Sequence, residues 1–299
     1  MTRVTRRTFL AGGTAVGLAS TLTDLTQKAT HAEEPLVKGT PAADHLGWRV
    51  GVSTYTYRGV SLFEALERIA RVGLSYAELF TWQSLSPQHP DAKPNPQLSK
   101  TLRTSLKQKA SDCGVRLIGC YGDLGNAESA QALFEFAAEM GIEVIVSEPP
   151  KAMLDTVEQL TQEYKIDFAL HNHPQPSHYW NPEVGVAALE GRSERMGFCC
   201  DTGHWCRSGL EPVEMLKLVG PRVKTFHLKD LDQFGSGQAQ DVIWGQGKGR
   251  IEEILIEVKR QELKPYFGIE WERSADSEPS IHAASVAFLE KVASKLAER

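Results

Sequence analysis

Past residue 32 this chain of 299 residues has no uninterrupted run of about 18 apolar residues, the length a helix needs to cross a bilayer. No membrane span is therefore expected in the mature protein. A basic excess is also missing. Residues 1–32 carry four basic side chains against one acidic one, and the remainder has a net charge of −8, which offers no large phosphate-attracting field and argues against nucleic acid. The five cysteines, Cys113, Cys120, Cys199, Cys200 and Cys206, are odd in number and lack zinc-ribbon spacing. Cys199 and Cys200 are adjacent in a strand-like stretch and read as small hydrophobes, whereas Cys206 is a minor candidate for a soft ligand. Finally, Ser53-Thr54-Tyr55-Thr56-Tyr57 is not the Gly-rich phosphate turn that an open doubly wound nucleotide-binding sheet would show after its first strand.

The N-terminus does carry a recognisable signal. Thr5-Arg6-Arg7-Thr8-Phe9-Leu10 is a twin-arginine pattern, Leu10 to Leu22 is mildly apolar, and Thr30-His31-Ala32 offers a small-x-Ala cleavage site. We expect residues 1–32 to be a signal peptide, the product to be periplasmic, and residues 33–46 to be a short polar linker. The remaining 47–299 read as one domain.

That domain alternates strand-like and helix-like stretches. The expected strands are Arg49–Thr54, Tyr76–Phe80, Arg116–Tyr121, Glu143–Ser147, Asp167–His171, Gly197–Asp201, Val223–His227 and Phe267–Glu270. Amphipathic segments separate most of them, with Ser61–Val72, Ala130–Met140, Ile251–Arg260 and Ile281–Leu296 the clearest. Eight such repeats in about 250 residues predict an α/β fold, the (β/α)8 TIM barrel. The loop Ser84–Gln97, rich in proline, is expected to be irregular. The Gly- and Gln-rich loop Leu231–Arg250 is a candidate cover for the pocket.

Five of nine histidines fall between residues 171 and 227, and four of them lie where a strand runs out. The segments end in His171-Asn172-His173, Asp201-Thr202-Gly203-His204, His227-Leu228-Lys229-Asp230 and Glu270-Trp271-Glu272. Strand C-termini of a parallel barrel converge on one face, the face that holds the active site. Imidazole and carboxylate meeting there suit a divalent transition metal. Strand alternation places His171 with His173, His227 with Lys229 and Glu270 with Glu272. His204 returns over the mouth if Gly203 makes a turn.

These motifs, with Trp244-Gly245-Gln246-Gly247 and Gly268-Ile269-Glu270, make residues 48–296 resemble the xylose isomerase-like barrel superfamily, also called the sugar phosphate isomerase/epimerase group. Its relatives include ketose 3-epimerases, inosose dehydratase, dehydroshikimate dehydratase and, more distantly, endonuclease IV. The resemblance implies one divalent ion (Mn, Zn, Co or Mg) held by Glu, Asp, His and Glu from the last four strands. Asp201, His227 and Glu270 match three of these, but the fifth-strand position is His171 instead of Glu. His171 is then a ligand, or it is the second acid/base and His173 the ligand; Glu148, at the end of the fourth strand, could supply the missing carboxylate. His204 matches a position that binds substrate oxygens. Lys229 is a candidate enolate stabiliser or a solvated ion-pair partner. Arg58 is a further substrate-binding candidate, and Trp82, Trp205 and Trp244 are candidate sugar-stacking faces.

The activity so implied is a sugar isomerase or epimerase that removes an α-proton and forms a metal-held enediolate, on a non-phosphorylated sugar or polyol because phosphorylated sugars are largely cytoplasmic. Loss of the fifth-strand Glu favours a lyase or dehydratase acting on a keto-sugar, inosose or 3-keto-glycoside. A carbohydrate-binding metalloprotein without turnover is the third reading. A DNA phosphodiesterase is disfavoured, because it needs more ligands and a basic face. The sequence leaves a homo-oligomer open.

Overall fold

The computed structural model describes residues 34–298, so the twin-arginine pattern and the cleavage site expected near Ala32 lie outside the described residues. Eight parallel strands, β1 (Arg49–Ser53), β2 (Tyr76–Phe80), β3 (Arg116–Tyr121), β4 (Val144–Ser147), β5 (Asp167–His171), β6 (Met196–Asp201), β7 (Val223–Leu228) and β8 (Tyr266–Ile269), pair in chain order. β8 pairs with β1 and closes a barrel, which rules out the open doubly wound alternative. Each strand ends within one residue of its expected bounds, because a strand covered on both faces reads as a continuous apolar run. Two cores result. Phe168 and Leu170 of β5 join the large cluster beneath the helices, whereas Ala169 packs with Val144, Val146 and Cys199 in a small separate cluster.

The helix Leu62–Val72 shows why the clear helices were readable. Ser61 and Glu64 form a capping box, Leu62, Ala65, Leu66, Ile69 and Val72 are buried, and Gly73 ends it at φ 100° in the left-handed region. Ala127–Met140 starts three residues before its apolar stripe because Asn126 caps it. Ile251–Arg260 has its expected bounds, and the last helix, Pro279–Ala297, is longer than expected. The sequence did not single out Lys100–Asp112, which buries only Leu106 and Ala110, nor Leu154–Tyr164, Pro182–Leu189 and Pro212–Val219.

The segment expected to be a linker is partly helical. Pro41–His45 forms a short helix whose Ala42 and Ala43 N–H groups donate to the Glu290 carboxylate at 3.0 and 2.9 Å, and Ala43 is buried. The loop after β7 is also more ordered than a free cover. Asp230–Leu231 pairs antiparallel with Asp241–Val242, and the Asp230 carboxylate accepts N–H groups of Leu231, Gly245, Gly247 and Gly249 at 2.8–3.0 Å. A Cβ on Gly247 would stand 2.3 Å from Asp230 Oδ1, so glycine is required there. No helix among the described residues is long and apolar enough to cross a membrane.

Candidate metal centre and active site

The ends of β5, β6, β7 and β8 bring His171, Asp201, His227 and Glu270 together, with one ligand atom from each lying within 4.8 Å of the others. His227 Nδ1 stands 3.1 Å from His171 Nε2, 3.3 Å from Glu270 Oε2 and 3.9 Å from Asp201 Oδ2. His171 Nε2 is 3.6 Å from Asp201 Oδ2. All four side chains are buried. Two imidazole nitrogens and two carboxylate oxygens are a donor set for Zn²⁺, Mn²⁺ or Co²⁺.

The surrounding charge fits a divalent ion as well. Asp201, Glu270 and Glu272 surround Lys229, Glu272 and Asp241 pair with Arg207, and Glu78 stands behind His227, five carboxylates against two permanent cations. Burial disfavours a charged His227 ring, but Cys199, Glu270 and Glu78 beside it outweigh that and hold it well above the usual imidazole range. Burial pushes His171 down to about 4, so it stays neutral with a lone pair to offer. Burial opposes ionisation of Asp201, yet His204, Lys229 and His171 keep its carboxyl well below the usual range.

Backbone geometry fixes these groups. Asn172 pins Asp201 by accepting its N–H at 2.9 Å and donating to its carbonyl at 3.1 Å. Asp201 Oδ1 caps the short helix Thr202–Arg207 by accepting from His204 N at 2.8 Å. His204 thus reaches the site on a helical turn, and Gly203 serves a different end from the turn expected of it. A Cβ there would stand 2.7 Å from Lys229 Cδ, so its lack of a side chain makes room for the lysine. His204 Nε2 lies 3.4 Å from Asp201 Oδ2 and 3.6 Å from Glu272 Oε1, and burial pushes its pKa down to about 3.

Lys229 is not a solvated ion-pair partner. Its buried Nζ lies 2.5 Å from Glu270 Oε2, 2.6 Å from Asp201 Oδ2 and 3.0 Å from Glu272 Oε1. Burial alone would lower its pKa, but Asp201, Glu270 and Glu272 raise it well above the usual value. Glu270 Oε1 accepts a hydrogen bond from Ser53 Oγ of β1 at 3.1 Å.

Glu148 and His173 form a pair beside the centre. His173 Nδ1 is 2.7 Å from Glu148 Oε2, and Glu148 Oε1 accepts from Ser177 Oγ at 3.0 Å. The Glu148 hydrogen bond raises the His173 pKa against the opposing effect of burial. The His173 ring is half-exposed, 4.6 Å from the His171 ring and 5.5 Å from the His204 ring.

Other candidates are engaged elsewhere. Arg58 donates to the carbonyls of Tyr55, Trp271, Ser274 and Glu272, and its guanidinium covers the Tyr55 ring, so it clamps the backbone after β8. Trp205 is buried in the core. Trp244 is buried too, donating from Nε1 to the Leu228 carbonyl at 3.2 Å. Neither presents a face to a sugar. Trp82 is 48% exposed and stands edge-on to Phe80 and Tyr121, which stack on each other at 5.0 Å. Cys206 packs with Leu231 and Ala239 and is no ligand to this centre, whereas Cys199 comes within 4.8 Å of nitrogens of His171 and His227. Sequence reasoning missed Glu78, Arg207 and Asn172 as parts of the site and placed Glu272 beside Glu270 without giving it a role. Glu272 shares its spacing with Glu270, which was the available signal; the others carry no local pattern.

The family model described as xylose isomerase-like TIM barrel matches residues 66–292. A solved structure of an uncharacterised protein from Parabacteroides distasonis ATCC 8503 is 32% identical, with a TM-score of 0.67, covering 82% of this chain and 99% of that one. A D-tagatose 3-epimerase-like protein is 19% identical with a TM-score of 0.64, covering 83% and 98%. A xylose isomerase-like TIM barrel protein from Mycobacterium smegmatis, solved in complex with magnesium, is 13% identical with a TM-score of 0.67, covering 83% and 97%. The last two likenesses show the fold alone. No curated protein sequence matches the chain.

Proposed function

The chain belongs to the xylose isomerase-like TIM barrel family, and from that premise we propose that it is a divalent-metal-dependent sugar isomerase or epimerase that works by α-proton removal. The observation that carries this reading is the convergence of His171, Asp201, His227 and Glu270 at the strand ends, with ligand atoms within 4.8 Å. The magnesium bound by the Mycobacterium smegmatis relative and the epimerase-like neighbour support it. His171 is assigned as a ligand because its Nε2 faces His227 Nδ1 and Asp201.

His171, Asp201, His227 and Glu270 would hold a divalent ion, which would supply a Lewis acid to polarise a carbonyl and acidify the neighbouring C–H. Glu270 is the base for that proton; Lys229, 2.5 Å from its Oε2, keeps it ionised despite burial, and its Oε1 is oriented by Ser53. Lys229 offers its ammonium to developing negative charge on the substrate oxygen. His173, backed by Glu148, is the second acid/base in place of the absent fifth-strand carboxylate. His204, which burial keeps neutral, contacts a substrate hydroxyl.

A lyase or dehydratase acting on a keto-sugar, inosose or 3-keto-glycoside is favoured by one specific feature, His171 and His173 where a paired carboxylate would sit. Both routes begin with removal of the α-proton. We also propose that the twin-arginine segment exports the protein, so that its substrate is a non-phosphorylated sugar or polyol. Incubating metal-loaded protein with keto-sugars in D₂O should exchange the α-proton. Absence of exchange across aldoses, ketoses, inososes and keto-glycosides would leave a carbohydrate-binding metalloprotein. Retention of the chain in the cytoplasm with Met1 still at its N-terminus would overturn the export reading.

A further inference from the structure

The two ring nitrogens of His227 face different neighbours. Nδ1 looks into the candidate centre, 3.1 Å from His171 Nε2 and 3.3 Å from Glu270 Oε2. Nε2 looks away from it, 2.8 Å from Oε1 of Glu78 in β2. Glu78 is completely buried, and its Oε2 has no hydrogen-bond partner. A buried carboxylate with one oxygen unmatched is costly, so the bond it does make to His227 calls for an explanation. β3 makes room for it: a Cβ on Gly119 would stand 3.1 Å from Glu78 Cγ.

We propose that Glu78 is the positioning residue of the metal centre, holding a proton on His227 Nε2 so that the Nδ1 lone pair is presented to the ion. A carboxylate accepts hydrogen bonds and does not donate them, so a His227 that gives up one proton on binding an ion keeps the other on Nε2, against Glu78. Nδ1 is then the free acceptor, and it is the nitrogen that faces Asp201, Glu270 and His171. A carboxylate behind a ligating imidazole fixes its tautomer and ring orientation and strengthens it as a donor. The ligand comes from β7 and its support from β2, so the closed barrel is what joins them across the interior.

This inference rests on the metal-centre reading, and its test separates the two. Co²⁺ binding to the full chain is measured by titration and by its d–d absorption. Glu78→Gln should weaken Co²⁺ binding about ten- to a hundred-fold and alter the absorption envelope, because an amide can turn its NH₂ toward Nε2 and favour the wrong tautomer. Glu78→Asp, which keeps the charge but withdraws it by one methylene, should fall between wild type and Glu78→Gln. The same Co²⁺ affinity and spectrum as wild type in Glu78→Gln overturns the proposal; if that variant does not fold, wild-type behaviour of Glu78→Asp does so. A wild-type chain that binds no divalent ion would instead defeat the metal-centre reading. Glu78 is then judged in metal-free protein by ¹H–¹⁵N correlation of the imidazoles. A slowly exchanging His227 Hε2 that moves on substitution supports the proposal, and one indifferent to Glu78 overturns it.

Discussion

Two halves of one barrel mouth differ in kind. β5 to β8 end in His171, Asp201, His227 and Glu270, with His173, His204, Lys229 and Glu272 just beyond. β1 to β3 end in rings: Tyr55 just after β1, Phe80 at the end of β2 and Tyr121 at the end of β3, with Trp82 above them. The halves touch where Tyr121 meets the His171 ring edge-on at 5.4 Å, and where Ser53 of β1 donates to Glu270. The ionisable half is mostly buried, and its groups lie within reach of one another, so each constrains the charge of its neighbours. The rings of the aromatic half carry no charge themselves, although Arg58 lies over Tyr55, and Trp82 is about half open. One half is suited to moving protons and the other to holding a ring, so substitutions in the first should damage turnover and those in the second should damage binding.

The largest effect separates the halves most sharply. Asp201→Ala or His227→Ala removes one of four candidate ligands, and each should abolish stoichiometric metal uptake and lower turnover by at least about a thousand-fold. Metal analysis of the purified variants checks this. Full occupancy in both would show that the ionisable half is not a metal centre. Glu270→Gln comes next. The amide cannot accept the α-proton, so solvent exchange should fall by roughly a hundred- to ten-thousand-fold. Exchange at the wild-type rate would move the base to Glu148 or His173.

How legible each half was in the sequence follows from the same contrast. The four strand-end residues stood out because β-branched and apolar runs stop at His171, Asp201, His227 and Glu270. Glu78 had no such signal, lying in mid-strand between Ala77 and Leu79 and 149 residues from the His227 it bonds. Only barrel closure makes them neighbours. Trp82, Trp205 and Trp244 look equivalent as letters, and burial alone tells the open one from the two packed ones. Arg58 looked like a ligand-binding cation because a chain of carbonyl acceptors from a distant segment cannot be foreseen. Among the helices, Lys100–Asp112 was missed because its few buried positions give little periodicity.

A smaller effect tests the second acid/base. The hydrogen bond from Glu148 raises the pKa of His173, so Glu148→Gln should lower it. A base must be neutral to act, hence wild-type activity should climb as pH rises through the raised pKa. In Glu148→Gln that acid limb should move to lower pH, with the plateau rate reduced about ten-fold because a less basic imidazole removes a proton less well. The profile of kcat/KM against pH checks the direction. An unmoved limb would leave the Glu148–His173 pair as a structural contact.

The smallest effect belongs to the aromatic half. Trp82 is the ring of that wall most open to solvent, and its edge-on contacts with Phe80 and Tyr121 hold its plane without covering it. A sugar ring seated at the strand ends would meet this surface with its C–H face. Stacking on one aromatic ring contributes about 1 kcal/mol, so Trp82→Ala should raise KM roughly five-fold. The loss should be the same in ground and transition states, because the ring lies away from the reacting carbon. kcat should therefore stay within about two-fold of wild type. Trp82→Phe should recover part of the affinity, whereas Trp205→Phe, a change in the packed core, should leave KM unaltered. A fall in kcat with unchanged KM in Trp82→Ala would break the division of labour between the halves. It would mean that the aromatic wall acts on the reacting atoms, by excluding water or by fixing the orientation of the α-carbon, and not as a platform for binding.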